Sequence, residues 1–546
     1  MGAAAGMVVF FLLYGTSTLH PTYDAWILNG YDEWDIQQHY AGWVLFRNSH
    51  WAFPLGLADT IAAPDGTVIS FTDSIPWVSI FFKALRGVLP STFQWFGWYT
   101  LFCFAMQGAA GALLCARGQA KTGAGALVFS TLGGLLFVML PTLWERAFRH
   151  TALASQWLFL LALYAFLEYR QNLYSGTAKF PWAMPVLAFL AVGIHPYFLP
   201  LVMMCALLAA VELGRQKKAW GRAALQFAAS LAAAVVGGVL CGAIGSGTGA
   251  SRSGYGDYSM NLNALINPTS RGGYTWSRLY QVMPQQPGQY DGFNYLGLGV
   301  LTLITAALLS LRRVVRCPQN TKTWWHRNGP VFAACVFLTL FAVSNKIYWG
   351  NTGIELPLPA KLLELCGIFR SSGRMFYLVA ACMVVYAVYT LRDRLPSRYA
   401  VLVLALFVGV QAFDLSAAAQ QKRQKFADPI NATVVNNDQT ASLGAGHTQL
   451  LAAGEVREDR LRLLAILAGK QGLATNLDIA VSGSHPAAEA SRADTAARLA
   501  AGQYDPTAVY VTTDGATWEN WQAVFAGDDS LNFFVADSCY FMVPAA

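Results

Sequence analysis

Four residues that could carry chemistry fall within eight positions near the start of the chain: Asp32, Glu33, Asp35 and His39. On a helix, Asp35 and His39 share a face at i and i+4, and Asp32 lies one turn before Asp35. One of these carboxylates could act as a general base. Asp32 and Asp35 together could instead hold a divalent cation such as Mg or Mn. A base at a membrane surface could deprotonate an acceptor hydroxyl for attack on a sugar carried by a lipid phosphate. The plainer alternative is an acidic, solvated loop. Tryptophans at 34, 43 and 51 suggest a segment lying at the bilayer surface, where an indole keeps one wet edge and one apolar face.

Further on, other residues invite a role in binding. The run ERAFRH crowds Glu145, Arg146, Arg149 and His150 at the end of an apolar segment. Ionisable groups at membrane depth are costly and tend to face an interior or a cavity. His195 precedes Pro196 between two short apolar pieces, so it sits at a chain break and could meet a phosphate or a sugar hydroxyl, or simply cap the turn. Arg252 lies in a Gly-rich loop, and Arg370 and Arg374 lie in FRSSGRMF. A guanidinium offers forked donors matched to a phosphate, although arginines at helix ends also meet lipid headgroups. Asp291, before Gly292, reads as a turn residue.

The elements that must position these residues are membrane helices. The 546 residues are 55% hydrophobic and 12% charged, against about 25% charged in a soluble domain. A spanning helix takes about 20 apolar residues. Eleven candidates run over about 3–18, 94–116, 123–141, 151–168, 182–194, 197–213, 222–245, 295–311, 328–344, 374–391 and 399–415. Residues 75–89 are apolar too, but Lys83 and Arg86 interrupt them and Pro90 ends them, so they read as interfacial or re-entrant.

With the N-terminus in the cytoplasm, the cytoplasmic loops carry Arg117 and Lys121, Arg170 and Lys179, the 215–222 cluster, the 312–327 cluster, and Arg392, Arg394 and Arg398. That agrees with the positive-inside rule and puts the loop 19–93 and the C-terminus outside. The net charge of +7 is spread over these short loops and does not suggest nucleic-acid binding. Nine cysteines lack CxxC or Cys/His spacing; most, such as Cys103, Cys205, Cys241 and Cys382, read as small packing residues, while Cys366 and Cys539 could share one compartment. After Leu415 the composition turns polar. Short β-like runs alternate with helix-like runs through 416–546, the pattern of a small α/β domain.

A first span, a long outer loop with acids and aromatics, and about ten further spans resemble the GT-C class of membrane glycosyltransferases. More closely, the runs DIQQHYAGWVLFRNSHWAFPLG, RHTALASQWLFLLAL, GQYDGFNYLGLG and FRSSGRMFYLV resemble an uncharacterised family of bacterial inner-membrane proteins. The resemblance implies a GT-C-like α-helical polytopic domain over 1–415, with the first loop 19–93 and the tail 416–546 both periplasmic. It implies transfer of a sugar from a polyprenyl-phosphate or pyrophosphate donor to an envelope glycan or lipid acceptor. By motif position, Asp35 matches the first-loop catalytic aspartate, with Asp32 as the alternative. Glu33, His39, His150, His195, Arg252, Arg370 and Arg374 would line the substrate site, and a divalent cation is a common companion. The rival is a non-catalytic protein that translocates or binds lipid-linked glycans.

Overall fold

The structure is a computed structural model and describes residues 1–29, 35–118, 123–245, 254–311, 318–426, 434–480 and 485–545. Asp32, Glu33 and Arg252 lie outside the described residues. The chain is mostly helical. Each of the eleven apolar segments forms a helix, but among the described residues seven helices are long and apolar enough to cross a membrane: Phe96–Ala116, Thr151–Ser175, Phe198–Lys217, Trp220–Cys241, Lys322–Val343, Ser372–Arg394 and Ser397–Lys425. The segment expected at 123–141 is instead a pair, Ala124–Val138 and Pro141–Arg149, bent by 51°; counted as one span it makes eight. Pro141 explains the break, since it cannot donate into the preceding turn. Gly2–Tyr14, Ala183–Ile194 and Leu298–Leu311 are shorter than a span requires. Pro76–Ala84, with nine residues, is also far too short to cross.

By internal contacts the chain forms two compact units. The first comprises residues 1–17, 96–235 and 251–427. There Gly2–Tyr14 packs on Phe96–Ala116 through glycines. A Cβ on Gly6 would run into the carbonyl of Phe104, so only a hydrogen fits. The helix Ser397–Lys425 continues ten residues beyond the composition change at Leu415, because its Ala, Gln and Lys residues are good helix formers. Its fully buried Asp414 accepts from Ser277 Oγ (2.5 Å), Tyr295 Oη (2.6 Å) and the Leu298 amide (3.0 Å). One carboxylate thus anchors the 277–298 segment to a membrane helix.

The second unit comprises 18–95, 236–250 and 428–546, so the first loop groups with the tail. Its helix Asp35–Phe46 is buried along nearly its whole length. Trp43, expected at a membrane surface, is instead in the core: its Nε1 donates to the Phe93 carbonyl (2.8 Å), and Phe82 and Trp95 pack on its ring. Trp51 is exposed, and Trp34 lies outside the described residues. The tail forms a five-stranded sheet in the order Ala474–Thr475, Gln449–Ala452, Ala508–Thr512, Cys539–Pro544, Leu531–Ala536. The first three strands are parallel, joined through helices Glu458–Lys470 and Pro486–Ala500; the last two form an antiparallel hairpin.

The loop joins this sheet by its backbone. Thr475 N donates to Thr60 O (3.0 Å), and Ala63 N and Ala62 N donate to Thr475 O (2.9 Å) and Leu477 O (3.1 Å). Residues 60–63 thereby cover what would be an open sheet edge. The helices Asp35–Phe46 and Glu458–Lys470 meet at Gly469, where a Cβ would lie 2.6 Å from Val44 Cγ2. Asn48 Nδ2 donates to Gly469 O (2.6 Å), and Lys470 pairs with Asp24 (2.6 Å). Gly469→Leu is therefore expected to wedge the two helices apart and cost about 1–3 kcal/mol. A melting temperature equal to that of the unaltered protein would show that this contact does not hold the loop.

Candidate functional site

In the loop-and-tail unit, Asp35 opens the helix Asp35–Phe46 and His39 follows one turn later, as the spacing predicts. Asp35 is half-buried and His39 fully buried. The structure adds Asp73, which the sequence gave no reason to select. A carboxylate oxygen of Asp73 and a ring nitrogen of His39 lie within 4.8 Å. The supporting turn is built for close approach. Ser74 Oγ donates to His39 O (2.8 Å) and lies 2.7 Å from Thr72 Oγ1, both packed against Gly42, where a side chain would collide with them. Asp73 and Ile75 both adopt left-handed backbone conformations (φ 55° and 49°). Such strain costs about 1–3 kcal/mol per residue and concentrates at functional sites.

Burial lowers the His39 pKa below 6.5, against an upward pull from the charges of Asp73 and Asp35. The imidazole is thus neutral at pH 7, able to accept a proton or bind a cation. An unfolded chain would bind that proton more readily than the folded one. His39 therefore contributes stability that is complete above pH 6.5 and lost as the pH falls through its lower folded value. Melting temperatures between pH 8 and pH 5 should fall less steeply for His39→Gln than for the unaltered protein. Parallel curves would remove His39 as a source of acid sensitivity.

In the helical unit, a different cluster forms around Asp291. Arg146 Nη1 donates to Asp291 Oδ1 (2.7 Å) and Nη2 to the Asp291 carbonyl (2.7 Å). Arg374 donates to the same carboxylate through Nε (3.1 Å) and Nη2 (3.1 Å). Arg149 lies 3.7 Å from it and bonds Glu145 (2.5 Å); Glu145 also lies 3.0 Å from Arg146 Nε, which donates to Tyr377 Oη (3.0 Å). Burial alone would raise the Asp291 pKa, but Arg146, Arg374 and Arg149 hold its carboxyl well below the usual range. Two glycines make this possible. A Cβ on Gly373 would lie 2.5 Å from Gly292 Cα, so the turns carrying Asp291 and Arg374 touch only because neither glycine has a side chain.

Among the described residues, three guanidiniums and two carboxylates share a nearly dry site. Arg374 is its open corner, with 12% of the side chain exposed against 0% for Arg146 and 4% for Arg149. An aromatic arc leads away from it. The Arg374 guanidinium lies 4.5 Å over the Tyr197 ring, whose Oη accepts from the Ser371 amide (2.9 Å). Tyr197 neighbours His195 (5.5 Å between ring centroids), and His195 neighbours His150 (5.3 Å), which follows Arg149 in the chain. Guanidiniums rimmed by two imidazoles and a phenol form an arrangement that can receive a phosphate and sugar hydroxyls.

Among the residues named from sequence, the structure thus gathers His150, His195 and Arg374 in one unit and pairs Asp35 with His39 in the other. Arg370 stands over the Tyr258 ring at 5.6 Å. Asp291 lies in a turn, Gln289–Gly292, as expected, and is in addition the hub of the cluster. Glu145, Arg146 and Arg149 were visible as a crowded run, but their partner lies about 145 positions away.

The comparison with curated proteins gives no match. Among solved structures, the chain is similar to the crystal structure of an oligosaccharyltransferase from Archaeoglobus fulgidus in its apo form. The TM-score is 0.38 at 11% identity, over 98% of this chain and 73% of that one, and a likeness at that level carries no argument here. Family comparison is decisive over most of the length. The family described as a domain of unknown function, DUF6311, matches residues 3–416, and the DUF6311 C-terminal domain matches residues 439–544. The chain belongs to the DUF6311 family.

Proposed function

We propose that this protein is a membrane glycosyltransferase that moves a sugar from a polyprenyl-phosphate or pyrophosphate donor to an acceptor outside the cytoplasm. The observation that carries this reading is the Asp291-centred cluster, which gathers three guanidiniums and opens at Arg374 beside Tyr197, His195 and His150. A lipid-borne phosphate is the anion suited to it. In the reaction, a first-loop carboxylate, Asp35 or Asp32, takes the proton from the acceptor hydroxyl. The freed oxygen attacks the anomeric carbon, the bond from that carbon to the phosphate oxygen breaks, and the electron pair leaves on the phosphate. Arg374, backed by Arg146 and Arg149, stabilises the charge growing there. His150 and His195 contact the sugar or the phosphate. Arg252 and Arg370 are further contacts proposed from sequence.

A divalent cation, Mg or Mn, would act as a charge clamp. Asp32 and Asp35 are the ligands proposed from sequence, and the imidazole and carboxylate of His39 and Asp73 suit Mn better than Mg, which prefers an all-oxygen shell. With all eleven apolar segments counted as spans, the positive-inside pattern favours a bacterial inner-membrane location with the N-terminus in the cytoplasm and the tail in the periplasm.

The test is release of polyprenyl phosphate from synthetic polyprenyl-phosphate hexose and pentose donors by the purified full chain. Arg374→Gln is expected to raise KM for the donor and lower kcat/KM by about 10–200-fold, the loss of a charge-assisted bond of about 1.5–3 kcal/mol. Donor turnover unchanged in that variant would remove Arg374 from the site. The rival, binding without transfer, predicts donor retention and no release.

A further inference from the structure

We propose a second lipid site, for one anionic bilayer phospholipid, in a groove that runs along the helix Phe376–Arg394, with its basic end at the far end of that helix from Arg374. A cavity of about 1030 Å³ lies between the helices Pro318–Val343 and Phe376–Arg394. Its wall is apolar over most of its length, with Val336, Leu340, Cys335, Cys382, Met383 and Phe376 among the lining residues. Its size matches the upper end of small-molecule pockets, about 300–1,000 Å³. The helix on one side is poorly covered by protein: 17% of the window in Lys322–Val343 is buried, and Phe332, Val336, Phe337 and Leu340 are exposed. The groove therefore opens sideways to whatever surrounds the helices.

One end of the groove is charged. Arg170, Arg327 and Arg394 line it, with Asp393 as the acid. Asp393 is engaged by Arg392 (2.8 Å), and Glu212, close enough to act on Arg170, is bonded by Gln216 (2.8 Å) with Arg215 at 3.8 Å. Arg170 Nη1 donates to the Arg327 carbonyl and to Asn328 Oδ1 (both 3.5 Å), which fixes its guanidinium against the helix that carries Arg327. From Arg327 to Leu340 the helix rises about 20 Å, at 1.5 Å per residue, which is the reach of a lipid acyl chain. An apolar slot of that length with guanidiniums at one end complements a phosphate-bearing lipid.

The occupant is a bilayer phospholipid and not the sugar donor. Arg374 and Arg394 are at opposite ends of one helical segment, about 30 Å apart. A donor phosphate held at Arg374 cannot also sit at Arg394. The groove thus stands independently of the reading of the reaction site. It would hold the helix pair together and fix its basic end at a headgroup layer.

Native mass spectrometry of the full chain in detergent tests this, with phosphatidylglycerol, phosphatidylethanolamine and a polyprenyl monophosphate as probes. One phosphatidylglycerol should be retained in preference to phosphatidylethanolamine. Arg327→Gln with Arg394→Gln, both exposed positions, should weaken that retention by about ten-fold or more. Val336→Trp, which fills the slot, should abolish it. Cys335 and Cys382 line the groove, so bound lipid should also slow their labelling by a maleimide. Equal retention of both phospholipids, unchanged retention in both variants with unchanged melting temperatures, or displacement of phosphatidylglycerol by the polyprenyl monophosphate would overturn the proposal.

Discussion

Asp291→Asn is expected to cost about 3–5 kcal/mol of stability, the usual result of removing one partner from a buried charge network. Asp291 is the shared acceptor of Arg146 and Arg374 and lies near Arg149. Without its charge, three guanidiniums would lose their shared acceptor, two of them almost completely dry. Water cannot reach them to compensate, so the variant should melt far below the unaltered protein in detergent. The second expected consequence is mechanical. The turn Gln289–Gly292 would no longer be tied to the turn Ser372–Met375, and Arg374 would lose its fixed direction. Asp291→Glu keeps the charge but adds a methylene where Gly292 and Gly373 already touch, so it should fall between the two. A melting temperature unchanged in Asp291→Asn would mean that the cluster is not the structural hub described here.

Asp35→Asn is expected to lower sugar transfer by about 10²–10⁴-fold, the range for loss of a general base, while the protein stays folded. Asp35 is half-buried at the first turn of its helix, where an acid is worth only about 0.3–1 kcal/mol to the helix end. Stability and activity should therefore separate, which they cannot do at Asp291. Asp32→Asn serves as the partner experiment. Loss in Asp32→Asn with activity retained in Asp35→Asn would assign the base to Asp32. Full activity in both would end the role of the first-loop acids, and the loop would be a structural companion of the tail sheet.

What the sequence made legible follows from how local each signal is. Apolar runs such as 94–116 announce helices because a bilayer-facing helix must be apolar all round, and the structure has helices there. Asp35 and His39 were readable because i, i+4 spacing is a local rule. The bend at Pro141 was missed because a continuous apolar run conceals a break in its middle. Trp43 was misread because an indole suits an interface and a core equally, and its partner, the Phe93 carbonyl, is 50 positions away. Asp291 was hidden for the same reason. An Asp-Gly pair is a common turn, and only the distant Arg146 and Arg374 turn it into a hub. Asp73 is similar: its left-handed backbone is invisible in a string of letters, and its nearness to His39 depends on the 72–75 turn. Nor does the sequence say that residues 60–63 close the edge of the tail sheet, since backbone pairing leaves no mark in side-chain identity.

The most direct measurement is an electron cryomicroscopy structure of the full chain with a polyprenyl phosphate bound. The account predicts density for the lipid phosphate within hydrogen-bond distance of Arg374, beside Tyr197 and His195. A lipid phosphate bound elsewhere, with the Asp291 cluster closed and untouched, would contradict it and leave the cluster as a clamp between two turns.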